Sequence, residues 1–136
     1  MFRVFDRKKE TFVQDNIFLS PNGNLYMLKR NIFGIDKLVI LSQDRYAYTK
    51  SIDLYDKNGT LIYEGDYVKA QVAEDKVVIG LVTYAHELSS YVIICFDSEE
   101  FYSLGSEVCE YIVVIGNVFE NYGREKDEQK EWTCHM

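Results

Sequence analysis

Asp56-Lys57-Asn58-Gly59-Thr60-Leu61-Ile62-Tyr63-Glu64-Gly65-Asp66-Tyr67-Val68 packs two glycine turns and the opening of a strand into thirteen residues. Asn58-Gly59 tolerates positive φ at little cost and closes a tight turn. Leu61-Ile62-Tyr63 forms a short extended bridge to Glu64-Gly65-Asp66. There the glycine permits a backbone conformation that a side chain forbids, and Asp66 has the reach to bond turn amides. Val68, Ala70 and Val72 then alternate with Lys69 and Gln71, the period of a half-buried strand.

Downstream, Val77 to Tyr84 is apolar on both faces, and Gly80 in its middle marks a bulge or a close backbone contact. Tyr91 to Phe96 and Tyr111 to Ile115 repeat the doubly apolar pattern, with Phe101 to Leu104 as a shorter partner. Strands are expected near 66–73, 77–84, 91–96, 100–104 and 111–119. Runs apolar on both faces need cover on both sides, one from a barrel interior and the other from the N-terminal half or a second subunit.

Upstream, Phe2 to Asp6 and Thr11-Phe12-Val13 read as one hairpin. Ile17 to Leu19 and Leu25 to Leu28 read as another around Ser20-Pro21-Asn22-Gly23-Asn24. Leu38 to Leu41 and Tyr46 to Thr49 are short apolar or aromatic runs. Between them Ser42-Gln43-Asp44-Arg45 fits either a turn or the cap of one helical turn.

Eleven Tyr, eight Phe and a single Pro in 136 residues favour an all-β domain with few linker breaks. No apolar run is long enough to cross a membrane as a helix, and the opening residues lack the build of a secretory signal, so a soluble, cytoplasmic protein is expected. Cys95, Cys109 and Cys134 are an odd set without CxxC spacing, which fits free thiols in a reducing compartment. Charge is uneven: residues 1–50 hold nine Lys/Arg against five Asp/Glu, whereas 51–136 hold six against seventeen. The acidic part argues against nucleic-acid binding and allows the basic segment to lie against it, within or between subunits.

Three blocks carry a family resemblance: Ile62-Tyr63-Glu64-Gly65-Asp66-Tyr67-Val68 followed by Gly80-Leu81-Val82, then Val114-Ile115-Gly116-Asn117-Val118-Phe119-Glu120-Asn121, and the opening Phe2 to Asp6. Together they resemble the YopX family of phage and prophage proteins, from residue 2 to 121 with 12–50 unmatched. Val118-Phe119 replaces the Ile-Tyr more usual in that family, a conservative change. The resemblance implies a bacteriophage-derived cytoplasmic protein of unassigned role and names no reaction. Gly-Asp-x-Val with a later Gly-x-Val also looks like the start of an SH3-like barrel. The expected architecture is therefore mostly all-β: N-terminal β-hairpins over 1–60, packed on an SH3-like small barrel over 61–121, and a charged tail over 122–136. That tail has helical propensity and Trp132 as its one anchor.

Candidate chemistry is sparse. A metal site needs converging ligands, and the two histidines, His86 and His135, fall in a loop and at the chain end. Neither Cys95 nor Cys109 has a histidine placed to activate it. Glu64 and Asp66 could pair for acid/base work only with one in an apolar pocket, and turn stabilisation by Asp66 is the simpler reading. No glycine-rich phosphate loop is present. Arg7-Lys8-Lys9 and Lys29-Arg30, with Phe12 and Tyr26, superficially fit single-strand binding, but the acidic balance favours a solvated face or subunit contact.

The expected function is thus a non-enzymatic phage accessory protein, with no metal or cofactor and no membrane association, acting through self-association and contacts with a host protein. The alternative is an acidic nucleic-acid mimic or a nucleic-acid-associated protein, acting on a host nuclease or DNA-binding protein. In an SH3-like barrel the first and last strands adjoin, so Glu64, Asp66, Asn117, Glu120 and Asn121 are expected on one rim, either satisfying each other's turn backbones or meeting a partner.

Overall fold

The structure is a computed structural model that describes residues 1–14, 16–30, 33–34 and 36–120, with Asp36 described by its backbone alone. The expectations for Asn121 and for the tail with Trp132, Cys134 and His135 lie outside these residues. The described chain is predominantly strand, and its helical pieces are two 3-10 turns. No helix among the described residues is long and apolar enough to cross a membrane.

Two compact units divide the chain, Arg3–Tyr48 in one and Met1–Phe2 with the chain from Thr49 in the other. The division falls a dozen residues before the expected boundary at 60, so most of Tyr46–Tyr55 belongs with the C-terminal unit.

In the N-terminal unit, β1 (Phe2–Asp6) and β2 (Thr11–Phe12) form the first hairpin, in register Phe5 to Phe12. Asp6 closes it: its buried carboxylate accepts from the Lys8 and Lys9 amides and takes both Nε and Nη2 of Arg45, at 2.9 and 2.8 Å. The Arg45 guanidinium holds this carboxyl well below the usual range, the two amides adding to the effect and burial opposing it. A three-stranded antiparallel sheet follows, β3 (Ile17–Leu19), β4 (Leu25–Arg30) and β5 (Asp36–Ile40), ordered as in the chain. The Pro21-Asn22-Gly23 turn is sealed by Gly23 N–H to Ser20 O at 2.9 Å. Ser42–Arg45, which could have been either turn or cap, is a turn, with Tyr46 N–H donating to Ser42 O at 2.9 Å.

In the C-terminal unit, β6 (Tyr46–Tyr55) is far longer than its aromatic run suggests and pairs with β7 (Leu61–Tyr63). The ladder shifts between Ser51 and Tyr55, where Asp53 sits at φ 61°. Five further strands are β8 (Asp66–Ala73), β9 (Lys76–Ala85), β10 (Ser90–Cys95), β11 (Phe101–Ser103) and β12 (Ile112–Asn117). They form one antiparallel sheet in the order β11-β10-β9-β8-β12, so the last strand returns to the first. A 3-10 turn over Ser106–Tyr111 leads into β12.

Gly80 explains how β10 can flank β9 so closely. A Cβ there would stand 2.4 Å from Ile94 O and 2.7 Å from Ile93 Cγ2, so a close backbone contact, and not a bulge, is what the glycine serves. Val68, Val82, Ile93, Ile62 and Ile112 are at most 2% exposed and centre the core. Cover on both faces, expected for the doubly apolar runs, is incomplete: Ile94 is 46% exposed and Val113 to Ile115 are half-buried.

Candidate functional site

The Glu64-Gly65-Asp66 turn links β7 to β8, and its geometry follows from the glycine. Gly65 has φ 92°; its N–H donates to Val82 O and its carbonyl accepts from Val118 N–H, both at 2.9 Å. One residue thereby ties β9 to the segment leaving β12. A Cβ on Gly65 would lie 3.3 Å from Val118 Cγ2, so backbone conformation and packing both favour glycine. Asp66, 1% exposed, turns its Oδ2 back to accept from Tyr63 N–H at 2.8 Å.

Opposite it, Asn117 is the register partner of Asp66. Asn117 Oδ1 accepts from the Phe119 and Glu120 amides at 3.0 and 2.9 Å, and its Nδ2 donates to Glu120 Oε1 at 2.6 Å. Glu64, Asp66, Asn117 and Glu120 thus all sit where β8 begins and β12 ends. Asp66 and Asn117 are buried and aimed at their own turns, Glu64 is half-buried, and Glu120 is exposed. Glu64 also lies near Tyr91, whose hydroxyl is pushed up first by burial and then by that carboxylate.

The chain has the blocks of a family at just these points, and a family model for the YopX protein matches residues 1–124. The chain belongs to the YopX family. No curated protein sequence matches it significantly. Among solved structures, YopX from Bacillus subtilis aligns with a TM-score of 0.60 at 16% identity, over 90% of this chain and 94% of that one. Protein EF1440 from Enterococcus faecalis aligns with a TM-score of 0.51 at 20% identity, over the same shares. At such identities the likeness concerns the fold.

Two features of this YopX-family fold are not visible in the motif blocks. Asp56, a buried acid at the head of the Asn58-Gly59 turn, accepts from the Asn58 and Thr60 amides through Oδ1 at 2.9 and 2.8 Å. Through Oδ2 it accepts from Val114 N–H at 2.9 Å, far along the chain. Lys57 N–H adds a bond to Ile112 O at 2.9 Å, so this turn is stitched to β12.

The second feature is the sheet β3-β4-β5. Its register places Ile17, Leu19, Leu25, Met27 and Val39 on one face, and Phe18, Tyr26, Leu28, Leu38 and Ile40 on the other. The first set is partly or fully buried, while Phe18, Leu38 and Ile40 are 51, 59 and 60% exposed. Alternation of apolar and polar residues, the usual sign of a one-sided sheet, is missing from these strands, and that absence is the signal of the exposed face.

Cys95 and Cys109 are buried free thiols whose pKa values are raised, chiefly by burial and then by nearby carboxylates. Such thiols are poor nucleophiles. Among the described residues, no three His, Cys, Asp or Glu side chains converge as a metal ion requires.

Proposed function

We propose that this chain is a non-enzymatic phage or prophage accessory protein of the host cytoplasm that acts through protein contacts, beginning with self-association. The observation that carries this reading is the face Phe18, Tyr26, Leu28, Leu38, Ile40, on which Phe18, Leu38 and Ile40 are exposed and Tyr26 and Leu28 half-buried, in a sheet whose other face presents Ile17, Leu19, Leu25, Met27 and Val39. Contiguous exposed apolar surface of this kind marks an interaction site. Its size sets the strength. About six residues at ~3.3 Å by three strands at ~4.8 Å is a footprint of roughly 300 Å². A stable interface buries about 800 Å² per partner. Association through this face is therefore concentration-dependent.

Light scattering between about 5 and 200 μM tests it, a range set by the weak affinity a small interface gives. Mass should rise above the 15.9 kDa of one chain at the upper end. Leu38→Lys with Ile40→Glu, at exposed positions that leave circular dichroism unchanged, should return it to one chain. A native protein with the mass of a single chain across the whole range refutes self-association.

The architecture we assign to the C-terminal unit is an SH3-like barrel. It is supported by the order β11-β10-β9-β8-β12 and by the 3-10 turn before the last strand. The nucleic-acid mimic draws on the acidity of the same unit, yet Asp56 and Asp66 are spent on internal amides and Glu100 on Lys76. These three acids are therefore not free to join a phosphate-like array.

A further inference from the structure

A cleft of about 460 Å³ opens in the C-terminal unit between the end of β8, β11 and the 3-10 turn before β12. Its walls are apolar and aromatic: Val72, Ile93, Tyr102, Val108 and Tyr111 all line it, and Tyr111 is 53% exposed. Apolar walls of this kind fit an aliphatic side chain or stem.

One side of the cleft is backbone. β12 pairs with β8 only as far as Ile112 to Ala70, whereas β9 continues to pair with β8 through Gln71 and Ala73. On the β12 side, Gln71 to Ala73 therefore have no strand neighbour among the described residues. An extended segment can lie along such an edge with alternate side chains in the cleft.

Charge selects what lies there. Glu74 lines the cleft, Asp75 follows it, and Glu107 and Glu110 lie on the 3-10 turn that contributes Val108 and Tyr111; all four are exposed. The cation of the β8-β9 turn, Lys76, is committed to Glu100 at 2.7 Å, and Glu100 also accepts from the Tyr102 hydroxyl. Residues 51–120 carry three Lys and no Arg against thirteen Asp/Glu, so the field around the cleft is negative.

From an apolar cleft, an open strand edge and an acidic rim, we infer that this is the docking site for an extended basic segment of a partner protein, one that alternates Lys or Arg with aliphatic residues. The inference rests on the contact-protein reading only in its general form, since the sheet β3-β4-β5 takes no part in it.

The test uses the isotope-labelled full chain and two acetylated hexapeptides, Lys and Val alternating in one, Glu and Val in the other. The Lys-Val peptide should shift the amides of Ala70 to Glu74, Tyr102 and Val108 to Ile112, with binding that weakens as salt rises from about 0.05 to 0.5 M. Glu74→Lys with Glu110→Lys, both at exposed positions, should weaken it by about tenfold. Tyr111→Ala should weaken it without changing the salt dependence. Equal binding of the Glu-Val peptide, shifts scattered over the acidic surface, or unchanged affinity in the charge-reversed variant each overturn the proposal. Light scattering on the same variant separates the two readings. Self-association that persists leaves the cleft to a partner protein, whereas self-association lost with Glu74→Lys and Glu110→Lys assigns it to a second copy and overturns the inference.

Discussion

Replacing Asp56 with alanine removes three backbone contacts at once, and the three differ in what happens next. The Asn58 and Thr60 amides belong to exposed residues and regain water, so each costs well under the full value of a charge-assisted bond, about 0.5 to 1 kcal/mol. Val114 is half-buried in β12, and its amide loses a 2.9 Å bond that water replaces poorly, about 1.5 to 2 kcal/mol. Asp56→Ala should therefore cost about 3 kcal/mol, a large share of the ~5 to 15 kcal/mol of a typical domain. Asp56→Asn is the sharper probe. Its carbonyl oxygen can keep the turn amides, which leaves its NH₂ facing the Val114 N–H, donor against donor, for a loss of roughly 2 kcal/mol. At about 4 °C per kcal/mol, melting should fall by roughly 12 °C for alanine and 8 °C for asparagine. Urea unfolding measures the energies and amide exchange locates them. Val114 should lose protection in both variants, Asn58 and Thr60 in the alanine variant alone. An asparagine variant as stable as the native chain, with Val114 still protected, would refute the bridge from turn to strand.

Two glycines give a contrast that separates crowding from backbone strain. Gly80→Ala should cost about 3 kcal/mol because its Cβ meets the Ile94 carbonyl at 2.4 Å, whereas Gly59→Ala, at φ 81° with nothing within 4 Å, should cost about 1 kcal/mol. Equal urea midpoints for the two would sink the crowding argument. Asp6, its pKa lowered by Arg45, gives a pH signature. Its contribution is fully present above the ordinary value of 3.8 and is lost as pH falls from there toward the folded-state value, because the unfolded chain takes the proton first. Urea midpoints followed from pH 7 to 2.5 should fall more steeply for the native chain than for Arg45→Met; parallel curves would contradict the pairing.

Local patterns made most of the strand inventory legible. Alternation from Val68 to Val72, the apolar runs 77–84 and 91–96, and the Pro-Asn-Gly and Asn-Gly turns are short-range signals, and each lies on the element it marks. The adjacency of Asp66 and Asn117 was also within reach, because it follows from first and last strands lying side by side. What escaped reading is what depends on tertiary partners. Ser106 to Tyr111 carries no periodicity and became a 3-10 turn because the chain must cross from β11 to the far edge of the sheet. The full length of β6 was hidden because Lys50-Ser51-Ile52-Asp53 breaks the aromatic run, and the bulge at Asp53 absorbs that break. The cleft draws on four separated segments, so no single stretch announces it.

Among the acids, burial sorts structure from surface. Asp6, Asp56 and Asp66 are buried, and each bends back to amides within four residues of itself, a reach that one methylene suits. Glu74, Asp75, Glu107, Glu110 and Glu120 are exposed. The acids behind the net charge of −7 therefore include three carboxylates held by internal donors and not presented at the surface. A partner drawn by charge meets these exposed acids, and substitutions at those positions should alter its binding rather than the fold. Aspartate substitutions at the three turns should do the reverse.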